Sequence, residues 1–341
     1  MNEFTDFKTY KMKNLFLAAA VAVLACTGCT TGDEGAIPIP PQENPVNFST
    51  EIAGVTRTAP NEKANFANGD KFSVTATQAL GAAAATSWMD NLVLTKSVEG
   101  TWSAGDSYFF MKGYKYSFAA YSPTETVLTM TDPGAVPYTV VETLADQKDL
   151  LYAVASKDFT TEAVTATVAF TFNHALTQVR FSAKTAKDYS AFYTVTMKNI
   201  ALKGVNSQGT LNFSDGSWTL ASPAAPLDYS VDYDKVLNSA EAEMTTAGND
   251  VLMLIPQDPA GAEKLVVTFD VAAVSGKGDP TLAGTGKTLK LDIPSKVWTS
   301  GYAYTYQITL NLDGTFGWTA SDIADPTISP WKDGDKIPVN N

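Results

Sequence analysis

Histidine and cysteine are almost missing from this chain. Among 341 residues there is one histidine, and the two cysteines both fall within the first 29 positions. A zinc centre of histidines and cysteines is thereby excluded. A histidine-dependent mechanism would rest on His174 alone, and the region beyond residue 29 holds no disulfide. Positive charge is also scarce: 24 lysines and arginines stand against 36 aspartates and glutamates, a formal net charge of −12. Nucleic-acid binding needs a basic face to neutralise phosphates, so that class is excluded. Charged residues make up 18% and hydrophobic residues 45%. That is too little charge for a disordered acidic chain and enough apolar matter for a sizeable core. Long helical stripes are absent. Ala76–Thr86 is alanine-rich, but Gly81 and the threonines weaken it as a helix. The length predicts about two domains.

What is present begins with a leader. Met12-Lys13-Asn14 precedes the apolar run Leu15–Ala25, 11 residues long. A spanning helix needs about 20 apolar residues, so the run reads as the core of a secretory signal, with Met12 as the better start. It ends in Ala25-Cys26-Thr27-Gly28-Cys29, where a small residue stands directly before each cysteine. This resembles a bacterial lipobox, in which the cysteine thiol receives a diacylglycerol; Cys29 is the expected acceptor and Cys26 its competitor. Residues 1–29 are thus a lipoprotein signal, and 30–45, with Pro38, Pro40 and Pro41, a flexible tether.

From Val46 the chain alternates at period two. Val46, Phe48, Thr50 and Ile52 share one face; so do Tyr114, Tyr116, Phe118 and Ala120, and Val168, Phe170 and Phe172. The longest row is Tyr302, Tyr304, Tyr306, Ile308, Leu310 and Leu312, read as six inward side chains. Alternation of this kind marks half-buried antiparallel strands. Turn signals at Asn68-Gly69-Asp70, Asp132-Pro133-Gly134, Ser214-Asp215-Gly216 and Asp313-Gly314 separate them. The fold class is all-β, built of β-sandwiches. A boundary at about residue 163 divides an N-terminal domain, 46–163, from a C-terminal one, 164–341.

Chemical motifs are few. Gly284-Thr285-Gly286-Lys287-Thr288 resembles the end of a phosphate-binding loop, but Thr281 stands where a glycine is needed and a strand-like segment follows. A hairpin loop is the expectation. His174 is read as a strand-end residue bonded to backbone. Asp146 with Asp149, and Asp322 with Asp325, lack calcium-loop spacing. Trp102, Trp218 and Trp298 stand at turn-to-strand corners and are expected to pack. No enzyme site, cofactor or metal is expected.

Taken in order, several strings resemble the fimbrillin family, subunits of type V pili of gut and oral Gram-negative anaerobes. They are the lipobox leader, Thr56-Arg57-Thr58, Phe66–Val74, Trp102, Asp149-Leu150-Leu151-Tyr152-Ala153, Phe172-Asn173-His174-Ala175-Leu176, Leu254-Ile255-Pro256-Gln257 and Trp298–Tyr304. The resemblance implies two transthyretin-like Greek-key β-sandwich domains in tandem. It implies a precursor anchored by lipid in the outer membrane, cleaved between Arg57 and Thr58 by a trypsin-like protease. The first strand, about 46–57, then leaves, and a C-terminal strand of another copy or a related subunit fills the groove. Removing a strand exposes apolar groove and unpaired backbone, which a new strand satisfies together.

Residues 315–341 are the candidate donor, with Phe316, Trp318, Ile323, Ile328 and Trp331 as anchors; the alternative is a strand closing its own sandwich. Pro326, Pro330 and Pro338 leave the donor segment open. The expected location is the cell surface, first on the outer membrane and then in the fimbrium, with an unidentified adhesion target. Alternatives are a surface-anchored lipoprotein that binds glycan and a pilus anchor that keeps its first strand. Replacing Cys29 with alanine is expected to abolish labelling by a clickable fatty acid. Retained labelling would assign the lipid to Cys26, and labelling of the double variant would remove the lipoprotein reading.

Overall fold

A computed structural model describes residues 44–53, 66–124, 134–165, 167–240, 242–243, 251–313, 317–321, 323 and 325–330. These residues form strands joined by turns, with 3-10 turns at Leu144–Asp146 and Pro280–Leu282 and no α-helix among them. The first strands are β1 (Asn47–Ile52), β2 (Lys71–Leu80), β3 (Thr86–Lys96), β4 (Trp102–Ser103) and β5 (Tyr114–Ser122). Then come β6 (Ala135–Thr139), β7 (Leu151–Asp158), β8 (Thr167–His174), β9 (Thr177–Thr185) and β10 (Tyr193–Asn206). They are followed by β11 (Gln208–Asn212), β12 (Trp218–Leu220), β13 (Pro226–Val236), β14 (Ala242–Glu243) and β15 (Leu252–Leu254). The last are β16 (Gly261–Ala273), β17 (Gly284–Ile293), β18 (Tyr302–Asp313), β19 (Gly317–Ser321) and β20 (Thr327–Pro330).

Period-two alternation builds two cores. In β8 it is strict: Val168, Phe170, Phe172 and His174 are buried and the residues between them exposed. The first sheet runs β1-β8-β7-β5-β2-β3-β4. Its two ends meet, since the Trp102 indole Nε1 of β4 donates to Thr50 Oγ1 of β1 at 3.2 Å. The sheet thus curls into a near-barrel around Phe72, Val74, Met89, Phe118, Phe170 and Phe172.

The second core lies between the sheet β13-β10-β16-β17 and the sheet β14-β9-β18-β19, with β15 added to β9 and β20 to β18. Met197, Tyr229 and Val267 of the one pack with Phe181, Tyr306 and Ile308 of the other. A small sheet, β12-β11-β6, joins it. Trp298 Nε1 donates to the Tyr306 hydroxyl at 3.0 Å, and burial pushes Tyr306 up to about 12.

A single cut along the chain does not separate these cores. β8 belongs to the first, whereas Val136, Val140 and Leu150, earlier in sequence, belong to the second. The chain passes from one to the other at Ala175. Its carbonyl accepts from Trp218 Nε1 and from Ser300 Oγ, each at 2.8 Å, and its N–H donates to the Leu150 carbonyl at 2.8 Å. Beside this point Tyr152 of β7 stacks on Phe213 at 5.7 Å. Gly216 closes the turn below them at φ +71°; a Cβ there would lie 1.9 Å from the Tyr152 hydroxyl oxygen.

Local expectations differ from the fold in four places. Strands read as antiparallel are partly parallel: β1 runs parallel to β8, and β18 parallel to β9. Gly284–Thr288 is not a hairpin loop but the first half of β17, paired with β16 up to Val271↔Gly284. In β18, Tyr302 is exposed and Ala303 buried, so the inward row begins at Tyr304 and fades at half-buried Leu312. His174 ends β8 as read, but the partner found for its ring Nδ1 is the Asp149 carboxylate and not the backbone.

The tail folds back on its own domain. β19 pairs antiparallel with Thr309–Asp313 of β18, and β20 with Tyr302–Thr305. The register slips by two between Thr309↔Ser321 and Thr305↔Thr327, so the two strands form one hairpin arm with an insertion. Ahead of the insertion Trp318 is buried. Its ring meets Tyr189, Tyr193 and Phe269 with centroids 5.4, 5.9 and 6.2 Å away, and its Nε1 donates to the Leu282 carbonyl at 3.1 Å. Ile323 and Pro326 are buried too, whereas every residue of β20 is exposed.

Two stability tests follow from this packing. Trp318→Ala should cost about 3–5 kcal/mol, read by denaturant unfolding, because it empties a core site and orphans the Leu282 carbonyl. Gly216→Ala should cost about 1–3 kcal/mol through the left-handed backbone and the Tyr152 contact.

Candidate functional site

Among the described residues the N-terminal strand, β1, is one end of the first sheet. β1 runs parallel to β8, in register from Asn47↔Thr167 to Ile52↔Phe172. Parallel pairing here joins strands more than a hundred residues apart, and β1 adds a ladder to one neighbour only. Short contacts tie its ends: Val46 N–H donates to the Tyr108 carbonyl at 2.9 Å, Phe110 N–H to Asn44 at 3.1 Å, and Ala53 N–H to Phe172 at 2.7 Å. Thr171 Oγ1 adds a bond to Glu51 Oε1 at 2.6 Å on the outer face.

The inward row of β1 is Phe48, Thr50 and Ile52, continued by Val46 just before the strand, each half-buried. They cap an aromatic floor. The Phe48 ring stacks on Phe170 at 5.9 Å with planes 5° apart, and meets Phe72 and Phe118 edge-on at 6.0 and 6.4 Å. Beyond Phe48 the row turns polar at Thr50, which accepts from Trp102. The arrangement is a strand-shaped slot: a ladder edge on β8, an apolar floor, and one fixed donor in its wall.

On its other side β8 lies beside β7. β7 pairs in register with it only at Leu151↔His174 and Tyr152↔Asn173. At that end His174 Nδ1 lies 2.7 Å from Asp149 Oδ2, both groups largely buried. The Tyr138 hydroxyl nearby is held well above its usual range, by burial first and by the Asp149 charge second. This pair sits where the two cores join and braces the end of β8. Among the described residues no three histidine, cysteine or carboxylate groups gather closely enough to hold a metal, and no helix is long and apolar enough to cross a membrane.

The residues singled out by sequence fall as follows. Cys26, Cys29, Arg57, Thr58, Phe316 and Trp331 lie outside the described residues. Trp318 and Ile323 are in the second core, and Ile328 on β20 is 40% exposed. Trp102 reaches the slot, which its turn-corner position did not reveal; the available signal was a lone hydroxyl, Thr50, in an otherwise apolar row. Asp149 as the partner of His174 left no signal, because the two are joined only by the β7–β8 pairing.

The sequence profile of the fimbrillin-like family matches residues 56–331. No curated protein matches the chain. Among solved structures, a fimbrial protein from Bacteroides vulgatus is similar with a TM-score of 0.57 at 17% identity, over 84% of this chain and 99% of that one. A candidate cell adhesion protein from Bacteroides ovatus gives 0.53 at 21% identity, over 84% and 97%. One from Bacteroides uniformis gives 0.51 at 20%, over 85% and 99%. At these identities the likeness is one of fold. The profile spans most of the sequence, and the chain belongs to the fimbrillin-like family, whose members are structural proteins and not enzymes.

Proposed function

We propose that the protein is a cell-surface fimbrial subunit that polymerises by exchange of the strand in the β1 slot. In this reading it is exported as a lipoprotein on Cys29 and cleaved by a trypsin-like protease between Arg57 and Thr58. It loses β1 and receives an extended segment of another copy or a related subunit in its place. Its two cores are then two transthyretin-like domains in tandem. The observation that carries the reading is the seat of β1: terminal in its sheet, laddered to a single strand, half-buried, and followed by the segment that holds Arg57. The family profile begins at Thr56, which leaves β1 outside it and supports the same division.

The donor is best sought after Pro326. Withdrawing Trp318 and Ile323 would empty the subunit's own core, at a cost of several kcal/mol. Withdrawing β20 exposes little, since its residues are already solvent-facing. Ile328 and Trp331 are therefore the anchors favoured, and Trp318 and Ile323 act as the root that holds the donor's base. Phe316 stands on the root side of that division in sequence.

The test compares three chains expressed in the native host: Arg57→Ala, deletion of 327–341, and deletion of 317–341. Arg57→Ala is expected to give a longer surface form, by mass spectrometry of its N-terminus, and no fibres. Deletion of 327–341 should leave a processed subunit that melts within about 5 °C of the full chain but extends no fibre in electron microscopy. Deletion of 317–341 should fail to fold. Fibres of normal length from either of the first two would overturn the reading.

A further inference from the structure

We propose that Trp102 selects which strand can occupy the β1 slot, by requiring a hydrogen-bond acceptor opposite Phe170. The inference rests on the reading of that slot as a site of strand replacement. In the structure the residue opposite Phe170 is Thr50, and its Oγ1 accepts from Trp102 Nε1 at 3.2 Å. Indole is a donor only, so nothing but an acceptor can satisfy it.

The donor is held in place. The Trp102 ring packs edge-on against Phe72 at 4.5 Å and Phe66 at 5.3 Å. Lys96 Nζ lies 5.9 Å from the ring centroid and is itself fixed by the Phe66 carbonyl at 2.6 Å. The rest of the floor offers only apolar contact: Phe72, Phe118 and Phe170 beneath Phe48. Such a surface gives affinity to apolar strands and demands no polar group of them. A fixed, half-buried donor behaves differently. A strand without an acceptor leaves it unpaired, and sites of this kind reject the wrong ligand by large factors.

Affinity and selectivity thus reside in different residues of one slot. The fitting partner is an extended segment of another fimbrial subunit. It carries a large apolar or aromatic residue opposite Val168 and a serine or threonine opposite Phe170, two residues away along the strand in the sense in which it enters. Val46 and Ile52 mark the flanking positions as apolar.

The test uses the full chain with a site-specific protease sequence placed within 54–65. After cleavage and release of β1, labelled peptides covering 44–53 are titrated in: the native sequence, Thr50→Ser and Thr50→Val. Valine keeps the shape and removes the acceptor. Thr50→Ser should bind within about threefold of native, and Thr50→Val about ten- to a hundredfold more weakly. In a Trp102→Phe chain the three should bind within about threefold of one another.

A second readout keeps the native groove and so does not depend on the folding of the Trp102→Phe chain. The Trp102 indole N–H should exchange with solvent faster under the Thr50→Val peptide than under the native one. Equal binding of native and Thr50→Val peptides by the native groove overturns the proposal, as does a valine penalty that survives Trp102→Phe. Failure of every peptide, native included, overturns the slot itself and with it the strand-exchange reading, an outcome distinct from loss of selectivity alone.

Discussion

The ladder between β1 and β8 is the constraint on which the N-terminal half depends. β8 carries the aromatic floor, Val168, Phe170 and Phe172, on its inward face. Along most of its length the registered partner is β1, since β7 joins in register only at the His174 end. A strand with alternate residues buried needs its backbone groups paired, because unpaired ones lose water without recompense. Whatever lies in the β1 position therefore pairs the backbone of Thr167–Phe172 as well as covering the floor. The slot and the strand beside it form one unit, and the His174–Asp149 pair pins the end of that unit to the junction of the two cores.

β18 imposes a matching constraint on the other half. It runs parallel to β9 on one side, and its other edge is covered in two steps, by β19 and then by β20. The steps differ in kind. β19 brings Trp318 into an aromatic nest, and the insertion that follows buries Ile323 and Pro326. β20 brings backbone pairing and little else. Apolar burial stabilises in proportion to area, so the arm is firmly rooted near its base and lightly held toward its end.

Much of this was legible in the sequence, and the failures have a common cause. The rows Val168–Phe172 and, apart from its two ends, Tyr302–Leu312 announced themselves because alternation is a local signal. The inward row of β1 was equally plain. Its partner was not: the pairing with β8, parallel and distant in sequence, depends on packing that no local pattern encodes. Gly284 and Gly286 suggested a loop, since glycine is a turn residue. In the fold their positive φ values, +150° and +62°, are accommodated within an irregular edge strand. Trp318 and Ile328 look alike as recurring apolar residues in a tail. Only the surroundings of Trp318, with Leu282 to accept its N–H, tell the buried one from the exposed. Trp102 was placed at a turn corner, and its reach to Thr50 follows from the curl of the whole sheet.

The parallel course of β1 also bears on direction. Its chain enters the slot beside Tyr108 and Phe110 and leaves beside Phe172. A replacement strand that keeps this sense, and that is the end of its own chain, brings its parent body to the Tyr108 side. One that enters in the opposite sense brings its body to the Phe172 side and presents its side chains to Trp102 in reversed order. Under the proposed exchange, strand polarity at this one slot would dictate which pole of one subunit meets the next.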